Sequence, residues 1–358
     1  MSVSNGEKRA SFPEKTSSAK FLSPQSIRGY IDYISVVKMD GLAVAAIAVA
    51  FYIAWNIGSN DSANAMGTAV GAGILSFRQA TLTIAVFVLM GAYLKGYRVM
   101  KTVGKGIVPE GYLTMEMAVI ALLAAGVWVT IATVKGLPVS TTQAIVGGVI
   151  GVGLATSAPV NWWTLTKIAS AWVVSPILSG ILAMVLYKFY AWVVSRIKSV
   201  STIETLYKAL AILGGSYMAF NFGTNEVANA SGPLVGAGFM EPKVAGIFGA
   251  VALSVGALTF SYAVMHTVGK KITALGPISA FAAQFGSAIA VSLANFFGLP
   301  VSSSQSIVGG VVGVGLLAGE GVEKSVIRDI IFGWVATPLT AIFIALAIFK
   351  AFALVGLV

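Results

Sequence analysis

The chain has no cysteine in its 358 residues, a single histidine, and charged side chains at only 10% of positions. Without thiols there are no disulfides, thiolate metal sites or cysteine nucleophiles, which removes several enzyme classes but reports no compartment. Redox chemistry is not indicated. The lone histidine, His266, matches Lys101 in the repeat described below, at a polar helix exit, where solvation is expected rather than catalysis. What is present instead is apolar: 57% hydrophobic residues, 40 glycines and a mean hydropathy of +0.88. That composition belongs to an integral membrane protein.

Charge-free runs locate the expected spans at 41–60, 79–94, 117–134, 136–166, 168–187, 209–225, 244–269, 272–319 and 330–349. Most suit one crossing of about 17 to 25 residues. The 272–319 run is too long for one, since 48 residues at about 1.5 Å each reach roughly 70 Å, against about 30 Å of hydrocarbon. It is expected to turn back inside the membrane.

Residues 1–40 read as a polar, partly disordered tail, without the short apolar stretch and cleavage site of a signal peptide. Its end, Ser26 to Met39, suits either a surface amphipathic helix or a solvated linker. The net charge of +10 gathers in two clusters, Lys95, Arg98, Lys101 and Lys105, then Lys188, Arg196, Lys198 and Lys208. Such clusters meet lipid headgroups, and nucleic acid is not an expected partner.

The chain writes one unusual string twice. "NIGSNDSANAMGTAVGAG" from Asn56 returns as "NFGTNEVANASGPLVGAG" from Asn221, at a constant offset of 165 residues that sets Glu226 in the place of Asp61. Further on, "GLPVSTTQAIVGGVIGVG" from Gly136 returns as "GLPVSSSQSIVGGVVGVG" from Gly298, offset by 162. "WVVSP" at 172–176 likewise matches "WVATP" at 334–338. Duplicated membrane halves mark transporter folds with a site at the repeat interface near the midplane. The expected architecture is an all-α polytopic membrane protein of two homologous halves, 41–195 and 207–358, joined by a connector at 196–206. The halves are expected to be inverted repeats, with discontinuous or re-entrant helices at a central site.

Each second motif suits a helix beginning near Pro138 or its counterpart, with Ser140, Thr141, Thr142 and Gln143 at one start and Ser302, Ser303, Ser304 and Gln305 at the other. Unpaired N–H groups and the dipole at such a start favour an anion, with the hydroxyls as added donors. Two bare starts in an apolar run are expected to face a shared polar cavity. Asp61 and Glu226 belong in that cavity, and an intramembrane carboxylate costs about 2.5 to 3.5 kcal/mol, so a cation or a proton is its natural partner. Asn56, Asn60, Asn64, Asn221, Asn225 and Asn229 offer amide carbonyls suited to a hard cation such as Na⁺, together with carbonyls from unwound helix ends.

The paired strings "GSNDSANA", 58–65, and "GTNEVANA", 223–230, resemble the signature of the inorganic phosphate transporter family, and the resemblance covers residues 41–350 including both "GLPVS" motifs. It implies a symporter for inorganic phosphate coupled to Na⁺ or H⁺, with no other cofactor and no enzymatic activity. By carry-over, Asp61, Asn64, Glu226 and Asn229, with residues 140–143 and 302–305, form the phosphate and cation sites. The implied partners are phosphate, Na⁺ and the bilayer of a cell membrane, with a homodimer as an option. One departure bears on the coupling ion and stoichiometry: the family's glutamate shortly before Gly91 and Gly256 is missing from "FVLMGAY" and "ALSVGAL".

Phosphate is also chemically sensible, because near neutral pH it keeps a P–OH to donate to a carboxylate, whereas sulfate has none. Plainer readings stand beside these. The asparagines suit interhelical hydrogen bonds, the Ser/Thr sets suit helix caps, the glycine tails suit packing, Trp162, Trp163 and Tyr190 suit interfacial anchoring, and Pro176 and Pro338 suit kinks. Rival functions are a sulfate or other oxyanion permease, a passive channel, and an intramembrane phosphatase acting on lipid pyrophosphates. The last needs cations or histidine at the nucleophile, and near Ser140 and Ser302 the sequence offers only Lys135.

Overall fold

A computed structural model describes residues 24–71, 73–134, 139–262, 265, 276–319 and 324–357. The leader before Pro24, Lys135, Pro138 and His266 lie outside the described residues. The helices are α1 (Pro24–Gly71), α2 (Phe77–Lys95), α3 (Tyr97–Lys101), α4 (Met115–Val134), α5 (Thr141–Ala155), α6 (Trp162–Ser195), α7 (Val200–Gly236), α8 (Pro242–Phe260), α9 (Pro277–Phe296), α10 (Ser303–Ala318) and α11 (Lys324–Leu354), with a π-helical turn at Thr102–Gly106 after α3. No strand occurs among the described residues. The chain divides into Met1–Val44 and a larger unit, Ala45–Val358, to which all the site residues below belong.

Among the described residues, seven helices are long and apolar enough to cross a bilayer: the Gly41–Gly67 part of α1, then α2, α4, α6, α8, α9 and the Ile331–Leu354 part of α11. Their outward faces carry what lipid requires. On α6, Val173, Ile177, Ile181 and Val185 recur every four residues as an exposed apolar stripe, one face of a 3.6-residue helix. Trp162 and Trp163 are exposed at its start, as interfacial anchors should be.

The 272–319 run does fold back. Helix α9 ends at Phe296, Gly298 adopts φ +69°, and α10 starts at Ser303 and packs against α9. Helices α4 and α5 pair in the same way. At 15 and 16 residues, α5 and α10 reach only about 22 to 24 Å, short of a full crossing.

Two expectations about these elements change. The helix start expected at the proline falls three residues later in both copies, with Ser140 and Ser302 as N-caps that accept from the amides of Gln143 and Gln305 at 3.3 and 3.2 Å. The asparagine motifs sit inside unbroken helices, α1 and α7, so no unwound carbonyls arise there. The chain also becomes helical at Pro24, before the expected end of the polar tail at residue 40.

Glycine contacts show how the halves interlock. A Cβ on Gly58 would lie 1.9 Å from the Leu253 carbonyl oxygen, and one on Gly223 would lie 1.9 Å from that of Val88. Helix α1 thus packs on α8 from the other half, and α7 on α2, through backbones in direct contact. A Cβ on Gly147 would likewise meet the Pro338 carbonyl at 2.5 Å, and one on Gly309 the Pro176 carbonyl at 2.1 Å. The glycine tails are packing surfaces, each seated on the proline-bearing helix of the opposite half.

Candidate functional site

Four elements converge on the site: α1 with Asp61 and Asn64, α7 with Asn225, Glu226 and Asn229, and the starts of α5 and α10. The Glu226 carboxylate, 1% exposed, sits at the start of α10. Its Oε1 accepts from Ser303 Oγ at 2.7 Å and from Asn225 Nδ2 at 3.0 Å, and the Ser303 backbone N–H also bonds the carboxylate. This is where helix geometry favours an anion, and here a side chain supplies one. The other oxygen, Oε2, accepts from Asn229 Nδ2 at 3.4 Å. Thr142 Oγ1 accepts from Asn229 Nδ2 at 2.9 Å, and its single proton serves either Val301 O at 3.1 Å or Glu226 Oε2 at 3.4 Å.

Asn225 has a second role. Its Nδ2 donates to Val301 O at 2.6 Å and its Oδ1 accepts from Val301 N at 3.2 Å, so one amide side chain pairs with both sides of an extended residue. That residue cannot join a helix, and its peptide groups, buried in an apolar segment, need partners. Trp172 Nε1 on α6 fixes the neighbouring carbonyl, that of Pro300, at 3.0 Å.

The α1 side mirrors these contacts. Asp61, 6% exposed, accepts from Thr141 at the start of α5 and from Ser304 at the start of α10. Asn64 Nδ2 donates to Ser304 Oγ at 3.0 Å, as Asn229 does to Thr142. The offsets of 165 and 162 map Asp61 to Glu226, Asn64 to Asn229, Thr141 to Ser303 and Thr142 to Ser304. Each carboxylate therefore touches one hydroxyl of its own half and one of the other half. The two carboxylates are near enough to repel each other.

The remaining site residues divide. Ser140 and Ser302 are buried, with their hydroxyls engaged as caps. Gln143 and Gln305 are buried with free atoms: Oε1 of Gln143 and both side-chain heteroatoms of Gln305 have no partner, and neither has Oδ1 of Asn229. Asn229 Oδ1, on the residue whose Nδ2 bonds Glu226, is a buried orphan acceptor of the kind a hard cation with oxygen ligands would satisfy. Asn221 is directed away from the cluster: its Nδ2 donates to Tyr217 O at 2.9 Å and Ala288 O at 3.2 Å, and its Oδ1 accepts from Asn295. Asn56 donates to Tyr52 O at 3.1 Å within its own helix, and Asn60 is exposed. The structure thus brings Asp61, Asn64, Asn225, Glu226 and Asn229 together with both helix starts, and leaves Asn56, Asn60 and Asn221 outside.

Sequence reasoning missed Gln284, whose Nε2 bonds Ala65 O and lies 3.3 Å from Asn64 O, bracing α1 beside the site. It also missed Trp172 and the backbone of Val301. Repetition was the signal that found the rest, and it does not reach Gln284, whose partner position at the 162 offset is Leu122.

The phosphate transporter family matches over residues 57–345. A protein of Thermococcus kodakarensis named "putative phosphate permease" is 33% identical over 89% of this chain and 99% of its own length. Inorganic phosphate transporter 2-1, chloroplastic, of Arabidopsis thaliana is 31% identical over 84% of this chain and 70% of its own. Among solved structures, that of "The sodium-dependent phosphate transporter" superposes with a TM-score of 0.79 at 31% identity, covering 88% of this chain and 99% of that one. With the match spanning both polar motifs and most of the helices between them, this multi-pass membrane protein belongs to the phosphate transporter family.

Proposed function

We propose that the chain is a secondary active transporter that couples inorganic phosphate to Na⁺ by alternating access, with its two halves as inverted repeats. The observation that carries this reading is the pair of buried carboxylates set between two helix starts, with Asn229, whose Oδ1 has no partner, bonded to one of them. The carboxylates answer the anion-favouring helix ends themselves, and their charge opposes a second anion there. That opposition is lifted once cations enter together with the anion.

In this reading Na⁺ is held by Asp61, Asn64, Glu226 and Asn229 with the side-chain oxygens of Gln143 and Gln305, and Asn56, Asn60, Asn221 and Asn225 line the route or support it. Phosphate then takes the N–H and hydroxyl donors at residues 140–143 and 302–305. Its P–OH donates to a carboxylate, which sulfate cannot do. Binding is cooperative, and by linkage the factor that Na⁺ adds to phosphate affinity equals the factor that phosphate adds to Na⁺ affinity. Na⁺ as the coupling ion is supported by the solved relative, a sodium-dependent phosphate transporter.

Alternation is assigned to the clamps. Asn225 grips Val301, while its counterpart Asn60 is exposed and Val139, the counterpart of Val301, is partly exposed. Closing one pair while opening the other would rock the halves around a fixed site. The test is radiolabelled phosphate uptake into proteoliposomes, comparing an inward Na⁺ gradient with K⁺ at matched pH and voltage. Accumulation that requires the Na⁺ gradient is expected. Uptake indifferent to Na⁺ would move the coupling to H⁺, and uptake without accumulation would make the chain a passive channel.

A further inference from the structure

Away from the carboxylates, a cleft of about 440 Å³ opens between the α2–α3 corner and helices α7 and α9. Two cations stand in its lining, Lys95 and Arg98, both exposed. The Lys95 ammonium lies 5.7 Å from the centre of the Phe220 ring, and the Arg98 guanidinium lies 5.1 Å from that of Phe296 while its Nη1 donates to Phe296 O at 2.8 Å. Neither has a carboxylate partner among the described residues, where the ion pair found is Lys105 with Glu110.

The inner wall is polar and includes Asn221, Thr224 and Asn295. Asn295 is 3% exposed, and its Oδ1 has no hydrogen-bond partner. Its orientation is fixed by the network: Asn221 spends its donor on two carbonyls, so its Oδ1 must accept, and Asn295 turns Nδ2 to it at 3.2 Å. The cleft therefore offers positive charge at its lining, and Asn295 on its wall keeps a buried acceptor without a partner. An anion without a hydrogen satisfies only the cations, and a neutral donor satisfies only the acceptor. A phosphate group that retains a P–OH satisfies both.

The charges are absent from the other half. At the 165 offset, Lys95 and Arg98 correspond to Phe260 and Ala263, and at the 162 offset Asn295 corresponds to Thr133. Duplication built the central site twice but this cleft once, so the cations are not a by-product of the repeat. Asn221 and Thr224 on its wall also lie within about one helical turn of Asn225 and Glu226.

We propose that this cleft is a second, outer binding site for a protonated phosphate group, carried by free hydrogen phosphate or by a phosphomonoester lipid headgroup, and that it exists on one half only. The proposal borrows from the transport reading only the choice of probe, and its readout is not transport.

The experiment is acetylation of Lys95 by an amine-reactive ester, followed by mass spectrometry, on the full chain in phosphatidylcholine nanodiscs at fixed ionic strength. Exposed Lys198 serves as the internal reference. Phosphate is expected to slow Lys95 acetylation several-fold and sulfate distinctly less, and that result names free phosphate as the ligand. Protection seen only when phosphatidate is added to the bilayer also upholds the site and makes its ligand lipid-borne. Protection by neither, or equal protection by sulfate, overturns the proposal. Arg98→Gln is expected to weaken protection, and Asn295→Ser to remove the preference over sulfate. Glu226→Gln is expected to keep both. Loss of Lys95 protection in Glu226→Gln, with the protein still monodisperse, would assign the effect to the central site and overturn this one.

Discussion

The two halves agree at the carboxylates and differ at the segments that lead into the short helices. Asp61 and Glu226 each take one hydroxyl from either half, and Asn64 and Asn229 each reach across to a hydroxyl at the opposite helix start. Yet Asn225 is fully buried in its grip on Val301, whereas Asn60 is exposed. Chemically matched motifs thus stand in different states within one chain. Alternation between two such states needs equivalent parts in inequivalent positions, and a site with perfect twofold contacts would have no preferred side to open.

The largest effect is expected where the halves are most alike. Gly58→Ala and Gly223→Ala each drive a methyl into a backbone carbonyl 1.9 Å away, and neither carbonyl has a flexible end that could yield. Each is expected to cost about 3 kcal/mol or more, since overpacking at helix backbones forces whole elements apart. Thermal denaturation in detergent should lower both variants by a similar amount. A large inequality would show that the exchanged contacts, α1 on α8 and α7 on α2, are not energetically equivalent.

Next come the carboxylates. Asp61→Asn and Glu226→Gln keep shape and remove charge, and each is expected to reduce Na⁺-driven accumulation about a hundredfold, the equivalent of roughly 2.7 kcal/mol. The comparison sharpens in the residual activity. Glu226 has donors from Ser303, Asn225 and Asn229, all placed for an acceptor, and an amide nitrogen there faces them. Glu226→Gln is therefore expected to lose the Na⁺-dependent fraction of bound phosphate as well as Na⁺-driven uptake, measured by equilibrium dialysis with labelled phosphate in Na⁺ against K⁺. Normal uptake by either variant would remove the carboxylates from the coupling step.

The clamp gives a smaller effect and the most direct break in the symmetry. Asn225→Leu leaves Val301 N without a partner, while Val301 O keeps Thr142 Oγ1, and a buried peptide N–H left unpaired costs about 1 to 3 kcal/mol. Asn60→Leu removes an exposed side chain, so its effect on stability is expected to stay within about 0.5 kcal/mol while transport still falls. Equal destabilisation by the two would mean that the first-half clamp is also closed, and the proposed alternation would lose its structural basis.

Much of this was legible because the sequence states it twice. The repeat located the carboxylates, the hydroxyl sets and the glycine tails, and the excessive length of the 272–319 run required the break that Gly298 makes. The proline rule misplaced the helix starts because it overlooks the serine two residues on: Ser140 and Ser302 accept from the amides of Gln143 and Gln305 and so cap each helix beyond the proline. Unwinding at the asparagine motifs was expected because carbonyls were wanted there. Asn64, Asn225 and Asn229 instead spend their side chains on other segments and keep their own backbone helical. Asn221 and Asn225 differ by one turn, and sequence spacing does not say that the lower one faces α9.

The smallest effect concerns a residue that the repeat does supply, though its role was hidden. Trp172 donates to Pro300 O at 3.0 Å and holds the segment leading into α10. Its counterpart at the 162 offset is Trp334. Trp172→Phe keeps most of the apolar packing and removes one neutral hydrogen bond, so about 1 kcal/mol of stability is expected to go. Because Val301 stays clamped by Asn225, Na⁺ dependence should persist and only the rate should drop. If Trp172→Phe abolished Na⁺ dependence as fully as Glu226→Gln, the α10 start would be set by α6 rather than by the asparagine, and the moving part would be the proline-bearing helix.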